Sequence, residues 1–529
     1  MDAKRRGLTR KELLEGAALG SAGALIGGGR ARAGTSGGPG GARPEEFYGK
    51  NVIVFLTDQE RAVQHFPRAW AQRNLPGFRR LQANGVTFTN AVTNACMCSP
   101  ARSTWLTGYL PAQHGVKYTL EQDMPADQYP QVELTTELPN LATVMTAAGY
   151  ESVYKGKFHC VKPAGSDWAP SDVGQYGFSR WNPPDAGADQ SIPEAGGGTT
   201  DNDGRFMNSV GNVADGDEGV MQYLDTVASA QQPFFLVVSL VNPHDVLFYP
   251  STYIQAGYDD SWLEGDIGLP PSVSEDLRED KPTVQRQFRN LFGFTGPINT
   301  PQKKRNYLNF YGNLMKSSDD YLVQILDKLV EKRLYDDTVI IRTADHGEMG
   351  TAHGGMRQKN FNVYEEALGV PLIYSNPKIF PRPQVSDALV SHVDFLPTLA
   401  SLFNAPDSAR AEWEGKDYSR IVRSPSARRV QDYTVFTYDD WQSGQANPPY
   451  PQPPNHVVGI RESRWKIAKY YDPDSNQPNQ WEMYDRRRDP NEVVNLADPD
   501  YERTPEQEDQ LRRLKRKLAR VQRDRLQSL

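Results

Sequence analysis

Four short runs rich in apolar and β-branched residues punctuate the first two thirds of the chain, and each gives way abruptly to polar or charged residues. Asn51–Thr57 leads into Asp58-Gln59, Tyr150–Tyr154 into Lys155-Gly156-Lys157-Phe158-His159, Phe234–Leu240 into Asn242-Pro243-His244, and Thr338–Thr343 into Ala344-Asp345-His346. Runs of this length without strict polar alternation are expected of strands covered on both faces. Val86–Phe88 and Val370–Tyr374 predict two further strands. Leu75–Asn84, Leu138–Ala148 and Gly219–Ala230 carry helical spacing between them. The longest helical pattern is Tyr307–Lys332, with Leu314, Leu322, Ile325, Leu326 and Leu329 along one side. This alternation predicts an α/β fold, a large mostly parallel sheet flanked by helices, over residues 47–420.

The character changes after residue 420. Tyr433–Tyr438, His456–Ile460 and Trp465–Tyr470 read as antiparallel strands and Glu506–Gln527 as a charged helix, which predicts a smaller C-terminal α+β subdomain over 421–529. Trp181–Asp217, dense in Gly, Asp and Pro, reads as a surface excursion. Residues 250–300 show little periodicity and read as lid or loop.

The first residues do not read as fold. Lys4-Arg5-Arg6 precedes the mildly apolar run Leu13–Gly29, and Ala31-Arg32-Ala33 offers a small-residue cleavage site, as in a twin-arginine-type export signal over 1–33. Glu15 and six glycines make that run a poor membrane span. Residues 34–46, rich in Gly, Pro and Ser, read as a linker. Removing residues 1–33, with seven basic and three acidic residues, takes the formal net charge from −7 to −11. So acidic a chain argues against nucleic acid or an anionic membrane as partner. Three cysteines, Cys96, Cys98 and Cys160, make no disulfide framework for an exported protein.

In open parallel sheets ligands bind beyond the carboxyl ends of the strands, and here four strand ends deliver chemistry. Three of the eight histidines, His159, His244 and His346, lie just past a predicted strand. Asp58, Asp345, the carbonyl of Gln59 and His346 form a donor set suited to Ca²⁺, Mg²⁺ or Mn²⁺. Lys157, Lys359 and Arg102 add positive charge, and His159, His244 and His114 can exchange protons with an ester. So much cation fits a sulfuryl or phosphoryl group.

A fifth element joins them. In Cys98-Ser99-Pro100-Ala101-Arg102-Ser103-Thr104-Trp105-Leu106-Thr107-Gly108, Ser99 can cap a helix, Pro100 suits its first position and Gly108 can end it. Cys98 then sits at the positive end of a helix dipole with Arg102 beside it. The same residues admit two other readings: a helix cap with a buried thiol, and, from the spacing of Cys96 and Arg102, an oxyanion loop of the protein-tyrosine-phosphatase kind, which Pro100 and the lack of glycine disfavour.

Cys98–Arg102 with Leu106-Thr107-Gly108 resembles the signature of the sulfatase family, and Gly149–His159 resembles that family's second signature, with Lys155 where a smaller or apolar residue is usual. Lys359–Pro371 resembles the stretch that carries a sulfate-binding lysine, and Trp481–Asp485 with Asp489–Glu492 and Asn495–Ala497 resembles the family's C-terminal ending. The resemblance implies an alkaline-phosphatase-like fold and hydrolysis of sulfate esters of a small molecule or glycan. It also implies a Cys98-derived formylglycine made by a formylglycine-generating enzyme, with Cys98 beside a divalent metal, Ca²⁺ foremost, held by Asp58, Gln59, Asp345 and His346. Arg102, Lys157, His159, His244 and Lys359 would act on the ester, with His114 in support. The Asp58-Gln59 and Asp345-His346 pairs resemble the branch of choline-sulfatase-like enzymes and phosphonate monoester hydrolases. A phosphonate monoester or phosphodiester hydrolase therefore stands as an alternative, and a non-catalytic binder of sulfated glycans as another.

Overall fold

The computed structural model describes residues 41–529 apart from 63–64, 122–123, 188–194, 197–200, 228–231 and 446. The export signal read over 1–33 lies outside the described residues. Seven strands form the main sheet: β1 (Asn51–Thr57), β2 (Gly85–Val92), β3 (Glu151–Gly156), β4 (Phe234–Ser239), β5 (Thr338–Ala344), β6 (Leu372–Ser375) and β7 (Gln384–Ser391), in the order β3-β4-β1-β5-β6-β2-β7. All neighbours pair in parallel except β6, which runs antiparallel to both β5 and β2. Val52, Ile53, Val54, Phe55 and Leu56 of β1 are buried on both faces, which explains the unbroken apolar run. Helix α1 (Cys98–Thr107) packs under the sheet, and α2 (Pro301–Glu331) covers the opposite face with Leu322, Ile325, Leu326 and Leu329 against Phe55, Leu236 and Ile340.

A second sheet, β8 (Tyr433–Tyr438), β9 (His456–Glu462), β10 (Trp465–Tyr471) and β11 (Gln480–Asp485), is antiparallel throughout and is covered by α3 (Pro505–Arg525). Ile421 and Val422 still pack in the core of the main sheet, so the second layer begins in space at β8. Buried charges join the two layers. Glu365 accepts from Arg461 of β9 at 2.7 and 2.8 Å and from Arg486 at 2.6 Å, and lies 3.1 Å from Lys466 of β10, which in turn reaches Glu492 at 2.6 Å. Arg461 also donates to Asn90 of β2.

Several expectations need correction. The described part of the linker is docked: Ala42 donates its N–H to the Arg423 carbonyl at 2.8 Å and Pro44–Glu46 makes a 3₁₀ turn. Among the described residues, the stretch after Trp181 is a surface excursion only in its last part, 208–217, where Val210 is 82% exposed. Trp181, Phe206 and Met207 are fully buried, and Asn202–Asn208 forms a helix, because Asp201 caps it and its apolar residues pack on the sheet. Within 250–300, Thr283–Leu291 is a helix whose Val284 and Phe288 are buried and whose Gln285 donates to Tyr470 and Glu482 of the second sheet. Strand β7 was not expected because its first half alternates polar and apolar residues at an edge, and β11 because Glu482 interrupts it; that carboxylate is buried among the hydroxyls of Tyr364, Tyr470 and Tyr484.

Burial opposes ionisation of Glu365, yet Arg461, Arg486 and Lys466 hold its carboxyl well below the usual range. Replacing it by Gln leaves three buried cations facing Glu492 alone, so Glu365→Gln should cost about 3–5 kcal/mol in urea denaturation at pH 7. Because the folded value is the lower one, this contribution is complete above pH 4.5 and disappears as the pH falls through the depressed value.

Candidate active site

The four strands whose ends carry the expected residues are consecutive in the sheet, and register does the rest. Thr57 pairs with Ala344 and Gly156 with Ser239, so Asp58 and Asp345 leave their strands side by side, and Lys157 leaves β3 on the far side of β4, from where its long side chain reaches Asp58. Helix α1 brings in Cys98 from below the sheet. Cys98 is already in the first turn, with Met97 as the flanking residue, and the hydroxyl of Ser99 accepts from Leu120 N–H instead of capping the helix. Gly108 ends it at φ 74°. Cys96, the first residue of the phosphatase-loop spacing, points away and donates to the Ala367 carbonyl, and the residues between it and Arg102 are largely helical, so no loop of that kind forms.

One carboxylate oxygen each of Asp58 and Asp345, an imidazole nitrogen of His346 and the sulfur of Cys98 lie within 4.8 Å of one another, all buried. Sγ of Cys98 is 3.3 Å from Nε2 of His346 and 3.7 Å from Oδ1 of Asp58. Arg102 ties the carboxylates together, donating from Nε to Asp345 at 2.9 Å and from Nη2 to Asp58 at 3.2 Å; its Nη1 donates to the Lys157 carbonyl and to Ser239. Lys157 Nζ lies 2.6 Å from Asp58 and 4.0 Å from Cys98 Sγ. Two carboxylates and an imidazole converging at one point fit a hard divalent cation, and the Cys98 sulfur is the one soft atom beside them.

The charge balance follows from these contacts. Burial opposes ionisation of Asp58, but Lys157, His244, Arg102 and His346 together hold its carboxyl well below the usual range. Burial pushes His346 down to about 4, against the pull of Asp345, leaving a neutral imidazole at pH 7. Burial, reinforced by Asp58, pushes the Cys98 thiol up to about 12, so as a plain thiol it is protonated and inert at neutral pH.

The other expected residues divide. His244, in the 3₁₀ turn after β4, is buried near Lys157, Asp58, Lys359 and His346; burial first, then Lys157, keeps it neutral. His159 stands at φ 57°, its backbone and that of Phe158 held by the Asp185 carboxylate at 2.6 and 2.8 Å. Its Nε2 lies 2.7 Å from the Leu120 carbonyl, so that nitrogen carries the proton and Nδ1 is left as a buried acceptor with no hydrogen bond. Lys359 reaches the centre from the loop after β5, its Nζ 2.6 Å from Oε1 of Gln59. The Gln59 side-chain oxygen is therefore engaged by a lysine, and its backbone oxygen accepts from Tyr311. His114 does not join the group: Nδ1 accepts from Val116 N–H and Nε2 donates to Thr104, which fixes the loop after α1. Asp440 is fully buried and accepts from the Tyr129 hydroxyl.

Sequence reasoning missed Asp185, Ser239 and Glu348. Each acts on a neighbour through hydrogen bonds between residues far apart in sequence, and no local spacing signals that. Lys155, unusual for the second signature, points to the opposite side of β3 and pairs with Glu218 at 3.0 Å.

The family profile described as Sulfatase matches residues 50–405, and that described as N-sulphoglucosamine sulphohydrolase, C-terminal, matches residues 353–524. The chain belongs to the sulfatase family. It is 25% identical over 406 residues to an ulvan-active sulfatase of Formosa agariphila, covering 76% of this chain and 70% of that one. It is 24% identical to a choline-sulfatase of Rhizobium meliloti, covering 85% and 82%. Among solved structures, a 2-O GAG sulfatase superposes with a TM-score of 0.64 at 21% identity, covering 89% of this chain and 92% of that one. A phosphonate monoester hydrolase of Silicibacter pomeroyi superposes with a TM-score of 0.62, also at 21% identity, covering 90% and 96%. The alkaline-phosphatase-like α/β fold and sulfuric ester hydrolysis are thus as expected, and membership implies a divalent metal at the centre. No helix among the described residues is long and apolar enough to cross a membrane.

Lys157 reaches the centre past two glycines. At Gly156 (φ 94°) a Cβ would stand 2.0 Å from the Ser239 carbonyl, and at Gly187 (φ 82°) a Cβ would stand 2.0 Å from Lys157 Nζ itself. Gly187→Ala therefore displaces an ammonium and leaves the sheet untouched. Steady-state kinetics on an aryl sulfate should show kcat/KM lower by about 10²-fold, with a thermal midpoint lower by no more than a few degrees, the cost of one left-handed alanine.

Proposed function

We propose that the enzyme hydrolyses sulfate esters through a formylglycine made from Cys98, with Ca²⁺ as the preferred cation at Asp58, Asp345 and His346. The observation that carries this reading is the placement of Cys98 Sγ within 4.8 Å of those three ligands. Burial and Asp58 push a plain thiol there up to about 12, whereas the hydroxyls of a hydrated aldehyde do not depend on ionised sulfur. Gln59 would complete the cation's shell with the second lone pair of the side-chain oxygen that accepts from Lys359. A bound cation would polarise the sulfuryl oxygens and neutralise the two carboxylates. The hydrated aldehyde at position 98 would supply one hydroxyl for in-line attack on sulfur and a second whose deprotonation expels the sulfate.

The remaining steps fall to this chain's own residues. Lys157 and Lys359 bind the equatorial oxygens, and Arg102 holds Asp58 and Asp345 in place. His159 offers Nδ1, buried and without a hydrogen bond, as the acceptor for the second hydroxyl's proton. His244 sits on the leaving-group side. The charge of the bound ester would raise its proton affinity from the low value set by burial and Lys157, making it able to protonate the departing alcohol.

The substrate we propose is a sulfated small molecule or glycan, as the names of the relatives describe for those proteins. We further propose export after a twin-arginine-type signal and modification by a formylglycine-generating enzyme. The likeness to a phosphonate monoester hydrolase favours one second reading, cleavage of phosphonate monoesters at the same centre. Rates on 4-nitrophenyl sulfate and on an aryl phenylphosphonate, measured side by side, separate the two. The expected outcome is a higher kcat/KM on the sulfate, loss of both activities in Cys98→Ala, and loss of both on removing divalent cations. A Cys98→Ala protein with parental turnover would refute the proposal.

A further inference from the structure

Glu348, two residues beyond His346, is fully buried and has no place in the chemistry described above. Every hydrogen bond its carboxylate makes is one it accepts. Oε1 takes the Tyr307 hydroxyl at 2.7 Å and the N–H groups of Gln358 at 3.0 Å and Gly350 at 3.1 Å, and Oε2 takes Nε2 of Gln59 at 2.6 Å. The partners come from three places: the end of β1, helix α2 and the loop that carries Lys359. The backbone of Gln59 is pinned independently, its N–H donating to Asp345 at 3.0 Å and its carbonyl accepting from Tyr311 at 2.7 Å. Only the orientation of its side-chain amide remains to be set.

We propose that Glu348 is a positioning residue that sets this orientation, turning the NH₂ of Gln59 away from the centre so that its oxygen faces Lys359 and the oxyanion site. An amide has a donor end and an acceptor end, and an ionised carboxylate accepts only. With NH₂ on Glu348, Oε1 necessarily points to the other side, where Lys359 Nζ lies at 2.6 Å. The reversed amide would set oxygen against carboxylate and NH₂ against ammonium. That removes two charge-assisted hydrogen bonds and deprives the centre of an oxygen donor. Through Gln358 N–H the same carboxylate also anchors the residue preceding Lys359, so one buried group fixes both the lysine and its partner. The inference rests on Lys359 being an oxyanion ligand, as proposed above.

The test is a polarity swap, read by calorimetric binding of inorganic sulfate and of phenylphosphonate to the calcium-loaded proteins. In Glu348→Gln the N–H groups of Gln358 and Gly350 keep the new amide's oxygen on their side, so its NH₂ faces Gln59 and the Gln59 amide turns its own NH₂ toward Lys359. Oxyanion affinity should fall about tenfold or more. Gln59→Glu alone sets two carboxylates face to face and should be weaker still. With Gln59→Glu and Glu348→Gln together, the 348 amide donates to the 59 carboxylate, whose second oxygen still faces Lys359, and affinity should return to within about threefold of the parent. A merely structural Glu348 would give no such rescue. Parental affinity in Glu348→Gln would overturn the proposal, as would a double variant no tighter than the better single one. If Glu348→Gln does not fold, the double variant against Gln59→Glu decides: it must bind more tightly, and equal or weaker binding overturns the proposal. The parent's preference between sulfate and phenylphosphonate bears on the proposed function, whereas the rescue pattern, read with either oxyanion, bears on Glu348 alone.

Discussion

Two carboxylates, Asp58 and Asp345, leave adjacent buried strands side by side, and the organisation of the centre follows from having to hold them there. With their oxygens within 4.8 Å, their repulsion is about 3–4 kcal/mol at an effective dielectric near 20, a sizeable share of a domain's net stability. Arg102 bridges both and Lys157 pairs with one. Burial works against the charge of Arg102, yet Asp345 and Asp58 raise its proton affinity further still, so the guanidinium is a permanent part of the arrangement. The same geometry that makes the pair costly makes it a cation site, because a divalent ion relieves the repulsion that the arginine only bridges.

This constraint explains why Cys98 lies on a helix beneath the sheet. Arg102 and Cys98 are four residues apart in α1, one helical turn, so seating the guanidinium between the carboxylates places residue 98 over them. Position 98 is thereby enclosed, and burial with Asp58 keeps a plain thiol there protonated as long as no cation is bound. Oxidation to an aldehyde, which needs no ionised sulfur, is a chemical answer to that burial. The buried cluster of Glu365, Glu492, Arg461, Lys466 and Arg486 plays the matching role at longer range, tying the segment that follows Lys359 to the second sheet.

Much of this was legible in the sequence because it is written locally. Buried parallel strands announce themselves as apolar runs, and residues within a few positions of the end of such a run emerge at the carboxyl edge; Asp58, Lys157, His244 and Asp345 were singled out in that way. What escaped is written non-locally. Asp185 holds the strained backbone of His159 from 26 residues away, and Glu348 meets Gln59 from 289 residues away. His114 misled for the opposite reason: a histidine close to the Cys98 helix is drawn there to tie Thr104 and Val116, and both its nitrogens are spent on that. The helix at 202–208 was hidden because its Gly and Asn content reads as loop, and its stability comes from the Asp201 cap and from burial of Phe206 and Met207.

The central claim is that residue 98 is an aldehyde-derived nucleophile and not a thiol. The most direct measurement is the mass of the tryptic peptide spanning residue 98, from protein produced together with a formylglycine-generating enzyme. The account predicts a peptide lighter by the exchange of a CH₂SH side chain for an aldehyde, appearing in proportion to turnover across preparations. A fully active preparation whose peptide still carries the cysteine mass would contradict it.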